Sequence, residues 1–223
     1  MGIISGVGKE HVFSKMASNW GLLMLLCFTI FILPIITAFW QFRLFEIFIT
    51  LIVVVSVYAT SEENKNKALL QLIVAIVAIW ITRIADLKLI NYASSLWLVV
   101  FFLLRVFRFI KQLSAKKDVD ALVIIEAING YLLMGVGFGI LVNMLAGKYQ
   151  GAFSFTSDAG TYHVYDAFYY TFVSMTTLGY GDLLPIAPAA KSLALLITLC
   201  GQFYLVVIMA LLVGRMLSKA QKS

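Results

Sequence analysis

Long apolar runs separated by short polar breaks make up most of the sequence. A helix that crosses a hydrocarbon core of roughly 30 Å needs about 20 residues, because each residue adds about 1.5 Å. Six runs approach or exceed this length, and they cover about residues 20–40, 42–60, 68–85, 92–113, 121–146 and 191–217. The pattern predicts an all-α membrane protein with six transmembrane helices.

The first run carries interfacial and helix-bending signals. Trp20 and Trp40 stand at its ends, where amphipathic rings prefer to lie, and Pro34 predicts a kink inside it. The stretch from Lys9 to Lys15 resembles the basic start of a signal peptide. The apolar run after it is too long for one, and no clear small-residue cleavage site follows, so we expect a retained span.

Composition and charge agree with a membrane location. Hydrophobic residues make up 62% of the chain, charged residues 13%, and the mean hydropathy is +0.97. The basic residues behind the net charge of +6 stand at the ends of apolar runs and not in a patch, so they indicate membrane-topology charges and we expect no nucleic-acid partner. With both termini inside, ten basic residues flank the inner side and five the outer side. We expect a multi-pass protein of the cell membrane with cytoplasmic termini.

The segment between the fifth and sixth runs contains the sequence TLGYGD at 177–182, after a compact aromatic stretch. That stretch, at about 165–176, is too short to span and predicts a re-entrant half-helix with Asp166 at its positive end. Gly179 and Gly181 flank Tyr180 and permit backbone conformations in which successive carbonyls face one axis. Such carbonyls, with the Thr177 hydroxyl, replace the hydration shell of a cation.

The sequence TLGYGD resembles the selectivity signature of tetrameric potassium channels, and residues 166–185 resemble their whole pore loop. The six-span layout resembles the voltage-gated-like subunits of that family. The resemblance implies a homotetramer that conducts K⁺ as the transported ion, without an organic cofactor. It also implies a selectivity filter formed by Thr177, Leu178, Gly179, Tyr180 and Gly181, in which the first four coordinate K⁺.

The resemblance further implies supporting residues around the filter. They are Asp166, Tyr169, Tyr170, Thr176 and Asp182, and Gly201 is the candidate hinge of the last helix. Two departures lie in the pore: Tyr169 and Tyr170 replace the usual paired tryptophans, and Leu178 replaces the commoner valine. The proline pair that kinks the last helix in many eukaryotic voltage-gated members is absent at 206–210.

The fourth run resembles the inner end of the family's voltage-sensing helix. Arg105, Arg108 and Lys111 recur at every third position, deep enough that all three can extend to the cytoplasmic interface. Countercharges are sparse: the second run has Glu46 near its outer end, where Arg43 or Arg83 can pair with it. The third has Gln71 about where an acid would be expected. Two interpretations stay open, a topological anchor and a weak voltage sensor.

The predicted organisation follows from these assignments. Residues 1–19 form a cytoplasmic N-terminus, 20–113 a four-helix voltage-sensor-like domain, 114–120 a linker, 121–217 the pore domain and 218–223 a cytoplasmic tail. Within the pore domain, the pore helix covers about 165–176 and the filter 177–182. We expect no regulatory domain after the last span. The spacing of Gly135 and Gly139 in the fifth run leaves close helix packing and a merely flexible helix as alternatives.

The function expected from the sequence is a potassium-selective channel with little or no voltage gating. The alternatives within channels are a nonselective cation channel and a true voltage-gated potassium channel. A secondary transporter is disfavoured because the halves show no inverted repeat, and a membrane enzyme because no metal cluster, nucleophile elbow or phosphate loop appears. The expected partners are membrane lipid and three further copies of the chain, and a separate regulatory subunit stays open.

Overall fold

The computed structural model describes residues 4–36, 41–60, 65–84, 88–116, 119–155 and 162–220, which are mostly helical. The first helix, α1, continues through a π-helical turn, Phe28–Ile32, into the short helix α2. The helices are α1 Ile4–Cys27, α2 Leu33–Ile36, α3 Gln41–Ala59, α4 Lys65–Ile84, α5 Lys88–Ala115, α6 Ala121–Lys148, α7 Val164–Met175 and α8 Pro188–Ala220, with two strands, β1 Phe153–Phe155 and β2 Leu183–Pro185.

Four helical stretches in the described ranges are long and apolar enough to cross a membrane. They are Ser14–Ile36, Leu89–Ala115, Ala121–Lys148 and Pro188–Arg215. They correspond to the first, fourth, fifth and sixth apolar runs of the sequence. The second run forms α3, whose apolar part, Leu44–Ala59, is shorter, and the third forms α4.

The irregularity predicted at Pro34 is present as the π-helical turn. Proline has no backbone N–H, so it cannot donate the usual bond to the residue four positions before it. The N–H of Leu33 instead donates to the carbonyl of Phe28, five positions back. The ring of Phe28 stacks on Phe48 of α3 at 5.1 Å between centroids, which joins this turn to the next helix.

A two-stranded antiparallel sheet corrects the prediction of helices only. β1 follows α6 and β2 precedes α8, and Phe153, Ser154 and Phe155 pair with Pro185, Leu184 and Leu183, respectively. The N–H of Ile186 also donates to the carbonyl of Ala152 at 2.8 Å. The sheet therefore joins the two ends of the segment that contains α7 and residues 176–182.

Helix α6 packs against α1, α5, α7 and α8, and small residues on it allow close approach. A Cβ at Gly139 would lie 2.5 Å from the ring of Phe168 in α7. A Cβ at Gly135 would overlap the ring of Phe172, and one at Gly130 the hydroxyl of Tyr204. The glycine spacing of the fifth run thus marks close helix packing, and the alternative of a merely flexible helix is wrong.

Arg105 does not extend to an interface, which corrects one part of the sequence interpretation. Its side chain is fully buried and donates to Thr60 Oγ1 and to Gln71 Oε1, both at 2.9 Å. Its guanidinium also lies 4.8 Å from the ring centroid of Phe101. Gln71, which stands about where an acid was expected, does reach the arginine, but with a neutral amide.

The other charges of the proposed sensor are placed differently. Arg108 is half-buried and Lys111 is exposed. Glu46 is half-buried and lines a small cavity together with Ser94, Ser95 and Asn143. The side chains of Arg43 and Arg83, its expected partners, lie outside the described residues.

A buried ion cluster that the sequence analysis missed links α1, the linker and α6. Glu126 is fully buried, and its two oxygens lie 3.0 Å from Lys15 Nζ and from Lys116 Nζ. One turn further along the same two helices, Asn129 donates to the carbonyl oxygen of Asn19 at 2.9 Å. The linker ends at α6 with Asp120 as its N-cap, whose side chain accepts from the N–H of Val123.

Candidate functional site

The segment that carries the predicted site begins with a 12-residue helix, α7, held at its start by Asp166. The N–H of His163, the N-cap residue, donates to Asp166 Oδ2 at 2.6 Å. This bond satisfies a donor that a helix N-terminus otherwise leaves open, and the carboxylate stabilises the positive end of the helix dipole. Asp166 therefore lies where its predicted supporting role requires, at the start of α7.

The end of α7 turns sharply into residues 177–182 through a Schellman arrangement of hydrogen bonds. The N–H of Thr177 donates to the carbonyl of Ser174 at 3.1 Å, and the N–H of Leu178 donates to Val173 at 3.0 Å. This motif requires a left-handed residue just beyond the helix, a position usually filled by glycine. Thr177 fills it here with φ +61°. The Thr176 hydroxyl donates to Phe172 at 2.7 Å in the same turn.

Positive φ then recurs at every second position of the predicted filter. Thr177, Gly179 and Gly181 have φ values of +61°, +57° and +76°. In an ordinary extended strand successive residues alternate in direction. Inverting the sign of φ at alternate residues breaks this alternation, which is the condition for successive carbonyls to point to one side. The glycines at 179 and 181 adopt such φ values without a Cβ penalty.

In this segment the first backbone N–H groups are hydrogen-bonded to α7, whereas the carbonyl oxygens are not. The N–H of Gly179, like that of Leu178, turns back to the carbonyl of Val173, at 3.3 Å. Among the hydrogen bonds of the described residues, none uses a carbonyl of 177–180 as acceptor. Residues 176–182 are also exposed in the single chain. The segment therefore presents a row of unbonded oxygen ligands, which suits a hard cation.

Tyr169 and Tyr170, the neighbours that replace the expected tryptophans, serve different contacts. The Tyr169 hydroxyl donates to Asp182 Oδ2 at 2.6 Å, which ties α7 to the residue after the filter. This hydrogen bond is the main reason why the pKa of Tyr169 is raised to about 12. Tyr170 is buried and packs its ring edge-on against Phe153 of β1 at 5.0 Å.

Three side chains that the sequence analysis did not single out contact the last carbonyls of α7. Gln202 Nε2 lies 3.2 Å and the Tyr131 hydroxyl 3.4 Å from the carbonyl oxygen of Met175. The Thr198 hydroxyl lies 3.2 Å from that of Ser174. Isolated polar residues in apolar helices carry no spacing signal, so only the fold brings them together.

The candidate hinge, Gly201, lies at the closest approach of α8 to this turn. A Cβ at position 201 would lie 2.6 Å from the Met175 carbonyl oxygen. Helix α8 is continuous through this residue, from Pro188 to Ala220. The structure thus gives the glycine a packing reason that the sequence analysis did not include.

Comparisons with known proteins give one family match, which lies over this part of the chain, and two relatives. Residues 148–219, less than half of the sequence, match a family model described as "Ion channel". A rice protein (Oryza sativa subsp. japonica) named two pore potassium channel c is 43% identical over 72 residues, which are 32% of this chain and 14% of that protein. The inward rectifier potassium channel Kirbac3.1 of Paramagnetospirillum magnetotacticum is 44% identical over 50 residues, 22% of this chain and 17% of that protein.

The chain therefore spans less than a fifth of the length of either relative in these matches. The family match includes α7, the TLGYGD segment and nearly all of α8. Together with the two relatives it supports an ion channel of the potassium-channel type.

Proposed function

We propose that this chain is the subunit of a potassium-selective channel, and that four copies surround one pore. The observation that carries the proposal is the backbone of residues 177–181. Positive φ at three alternate positions, with the N–H groups of Leu178 and Gly179 bonded back into α7, accompanies a row of carbonyls at 177–180 that accept no hydrogen bond from the described residues. Because one chain supplies one such row, a closed ring of ligands requires several copies.

In this proposal each filter residue has a role set by its geometry. The carbonyls of Thr177, Leu178, Gly179 and Tyr180, with the Thr177 hydroxyl, coordinate K⁺. Gly181 completes the backbone pattern, and the bond between Tyr169 and Asp182 keeps the outer end of the filter against α7. Leu178 is compatible with this role because its backbone oxygen, and not its side chain, is the ligand.

The proposed arrangement in the membrane uses six spans and one re-entrant segment. Residues 20–113 form the four-helix peripheral domain and 121–217 the pore domain, with α7 entering the membrane between α6 and α8. Non-helical backbone is tolerated at membrane depth only where it is buried or lines a water-filled cavity. A filter that faces a pore meets that condition.

The proposed channel has weak voltage dependence. The candidate gating charges Arg105, Arg108 and Lys111 all lie in the second half of α5, so each is expected to cross only part of the membrane field. Arg105 is buried and donates to Thr60 and Gln71, and the aromatic ring of Phe101 faces its guanidinium. The peripheral domain then acts mainly as a scaffold, with both termini in the cytoplasm.

A flux assay with the purified protein in liposomes tests the proposal. One set of vesicles is loaded with K⁺ and a matched set with Na⁺, and the charge that leaves with the ion is measured. We expect fast efflux of K⁺ and slow efflux of Na⁺. Gly179→Ala is expected to abolish selective flux, because a Cβ at φ +57° strains the backbone that aligns the carbonyls.

Gly151→Ala is the matched control. Gly151 has a similar φ of +77°, and, as at Gly179, no atom lies within 4 Å of an added Cβ, but it is in the turn after α6. Both substitutions therefore impose a similar backbone strain at different places. Equal K⁺ and Na⁺ flux through the unmodified protein would favour a nonselective cation pore, and normal selectivity in Gly179→Ala would contradict the filter assignment.

A further inference from the structure

The last helix contacts the filter entrance through polar side chains, at a point where the backbone leaves one acceptor open. The Schellman turn at the end of α7 satisfies the carbonyls of Val173 and Ser174 with the N–H groups of Leu178 and Thr177. The carbonyl of Met175, the last residue of the helix, receives no backbone donor in the described structure.

This open carbonyl lies two residues before the first filter ligand, Thr177. A carbonyl oxygen that is removed from water and has no hydrogen-bond donor destabilises the folded protein. The alternative for this carbonyl is to rotate toward the ion pathway and coordinate a cation. Such a rotation would also break the bond from the Thr176 N–H to the carbonyl of Phe172 at 3.0 Å, because both groups belong to one peptide plane. The donors that bind the Met175 carbonyl add to this restraint.

Two side chains from different helices supply those donors. Gln202 Nε2 of α8 is 3.2 Å away and the Tyr131 hydroxyl of α6 is 3.4 Å away. Met175 itself is fully buried. The ring of Tyr131 also packs against Tyr204 of α8, with 5.8 Å between centroids, so the two donors belong to one packed cluster.

Gly201 makes this docking close. Because a Cβ there would lie 2.6 Å from the Met175 oxygen, only glycine lets α8 approach the turn closely enough for Gln202 to reach it. Thr198, one turn earlier on the same face, reaches the neighbouring carbonyl of Ser174 at 3.2 Å. That carbonyl already accepts the N–H of Thr177, so the Thr198 bond is an addition to a satisfied group.

We propose that Gln202 and Tyr131 are positioning residues for ion selectivity, which hold the Met175 carbonyl away from the ion pathway and so fix the inner end of the filter. This inference rests on the proposed function. It assigns to α8 a direct role in setting the filter geometry, and it assigns to Gly201 a docking role in the same contact.

Near-isosteric variants separate the two donors from the packing around them. Gln202→Met and Tyr131→Phe each remove one donor while nearly keeping the side-chain shape, and the double variant leaves the Met175 carbonyl with none. The measurement is the permeability ratio of K⁺ to Na⁺, from reversal potentials of channels in planar bilayers. We expect each single variant to lower the ratio by less than about threefold and the double variant by more than about tenfold, because only the second loss leaves the acceptor without any donor.

Thr198→Val is the matched control, since it removes a donor from the same face of α8 but leaves the Ser174 carbonyl bonded to Thr177. It should change the ratio by less than about twofold. An equally large effect of Thr198→Val, or strictly additive effects of the other two substitutions, would overturn the inference in favour of general packing.

Three further outcomes are informative. If the double variant does not assemble, the single variants Gln202→Met and Tyr131→Phe still test the point, and an unchanged permeability ratio in both of them contradicts the positioning role. If the unmodified channel is selective and the double variant is equally selective, this inference is rejected while the proposed function stands. An unmodified protein without K⁺ selectivity rejects the proposed function and this inference together.

Discussion

At the scale of single residues, Thr177 is the most unusual position of the chain. It is the only non-glycine residue with positive φ in the described ranges, and it is β-branched. A side chain of this type in the left-handed region is strained by about 1–3 kcal/mol, and such strain concentrates at functional sites. Glycine would satisfy the motif at the end of α7 without this strain, and the proposed role of the Thr177 hydroxyl as an ion ligand gives a reason for threonine there.

Replacing Thr177 by glycine tests this interpretation. We expect Thr177→Gly to leave the free energy of unfolding unchanged or to raise it by about 1 kcal/mol, because the relief of strain exceeds the greater freedom of glycine in the unfolded chain. The same variant should lose K⁺ selectivity. Thermal unfolding in detergent and bilayer recordings measure the two effects, and a clearly lower stability would show that the threonine is not strained.

Part of the site is predictable from residue types and part is not. The glycines at 179 and 181 predict positive φ at these positions, because glycine adopts such backbone conformations without a steric penalty. The turn at Thr177 has no such sequence signal, because threonine stands where glycine is usual. The sequence gives no signal for the contacts of Gln202 and Tyr131 either, because they lie 27 and 44 positions from Met175, whose carbonyl oxygen they contact.

At the scale of helices and strands, apolar runs predict the helices well and short strands poorly. A run of 20 apolar residues has few alternatives to a helix, and α5, α6 and α8 lie where the sequence places them. Strands β1 and β2 have three residues each, which is too short for an alternating pattern to be recognised. Their pairing depends on the two ends of the segment that contains α7 meeting in space.

The ion cluster of Glu126 shows a second limit, because a single acid in an apolar run gives no indication of its partners. Lys15 and Lys116, read from the sequence as topology charges, both lie at the carboxylate. We expect Glu126→Gln to destabilise the protein by about 3 kcal/mol, since it leaves two lysines without their countercharge. Thermal unfolding in detergent measures the loss.

A compensated variant serves as its control. Replacing Lys15 and Lys116 by methionine together with Glu126→Leu removes all three charges, and buried ion pairs replaced by apolar groups often lose little stability. We therefore expect the triple variant to be more stable than Glu126→Gln. An unchanged unfolding temperature in Glu126→Gln itself would mean that the cluster contributes nothing.

The burial of Arg105 and its contacts with Thr60 and Gln71 lead to a prediction for α5. Moving one charge through 100 mV is worth about 2.3 kcal/mol, and steeply gated channels move several charges per subunit. Here Arg105 is fixed between α3 and α4 by Thr60 and Gln71. Open probability should change only gradually between about −150 and +150 mV, in contrast to the steep gating of channels that move several charges. A steep curve that the Arg105→Gln, Arg108→Gln double variant flattens would establish a working voltage sensor.

At the scale of the whole molecule, the single chain exposes the groups that the proposed pore requires. The residues Leu178 and Tyr180 of the proposed filter are 55% and 68% exposed. Both have large, mainly apolar side chains, which are more stable in contact with protein than with water. They line a cavity of about 700 Å³ together with Phe31, Phe45 and Phe172. Further copies of the chain would cover these groups.

The expected assembly is a tetramer of four 24.8 kDa chains, without detergent. Native mass spectrometry from detergent micelles measures this mass directly. The physical reason is the number of carbonyl rows needed to close a ring around one dehydrated ion. A monomer that conducts K⁺ selectively would contradict the shared filter.

The reversal potential in asymmetric K⁺ and Na⁺ is the most direct test of the proposed channel. With mainly K⁺ on one side of a planar bilayer, and mainly Na⁺ with a small known K⁺ concentration on the other, the account predicts that the current reverses close to the equilibrium potential of K⁺. The displacement of the reversal potential from zero should depend on the backbone of residues 177–181. It should therefore disappear in Gly179→Ala but persist in Gly151→Ala. A reversal near zero in the unmodified protein would contradict a potassium-selective filter.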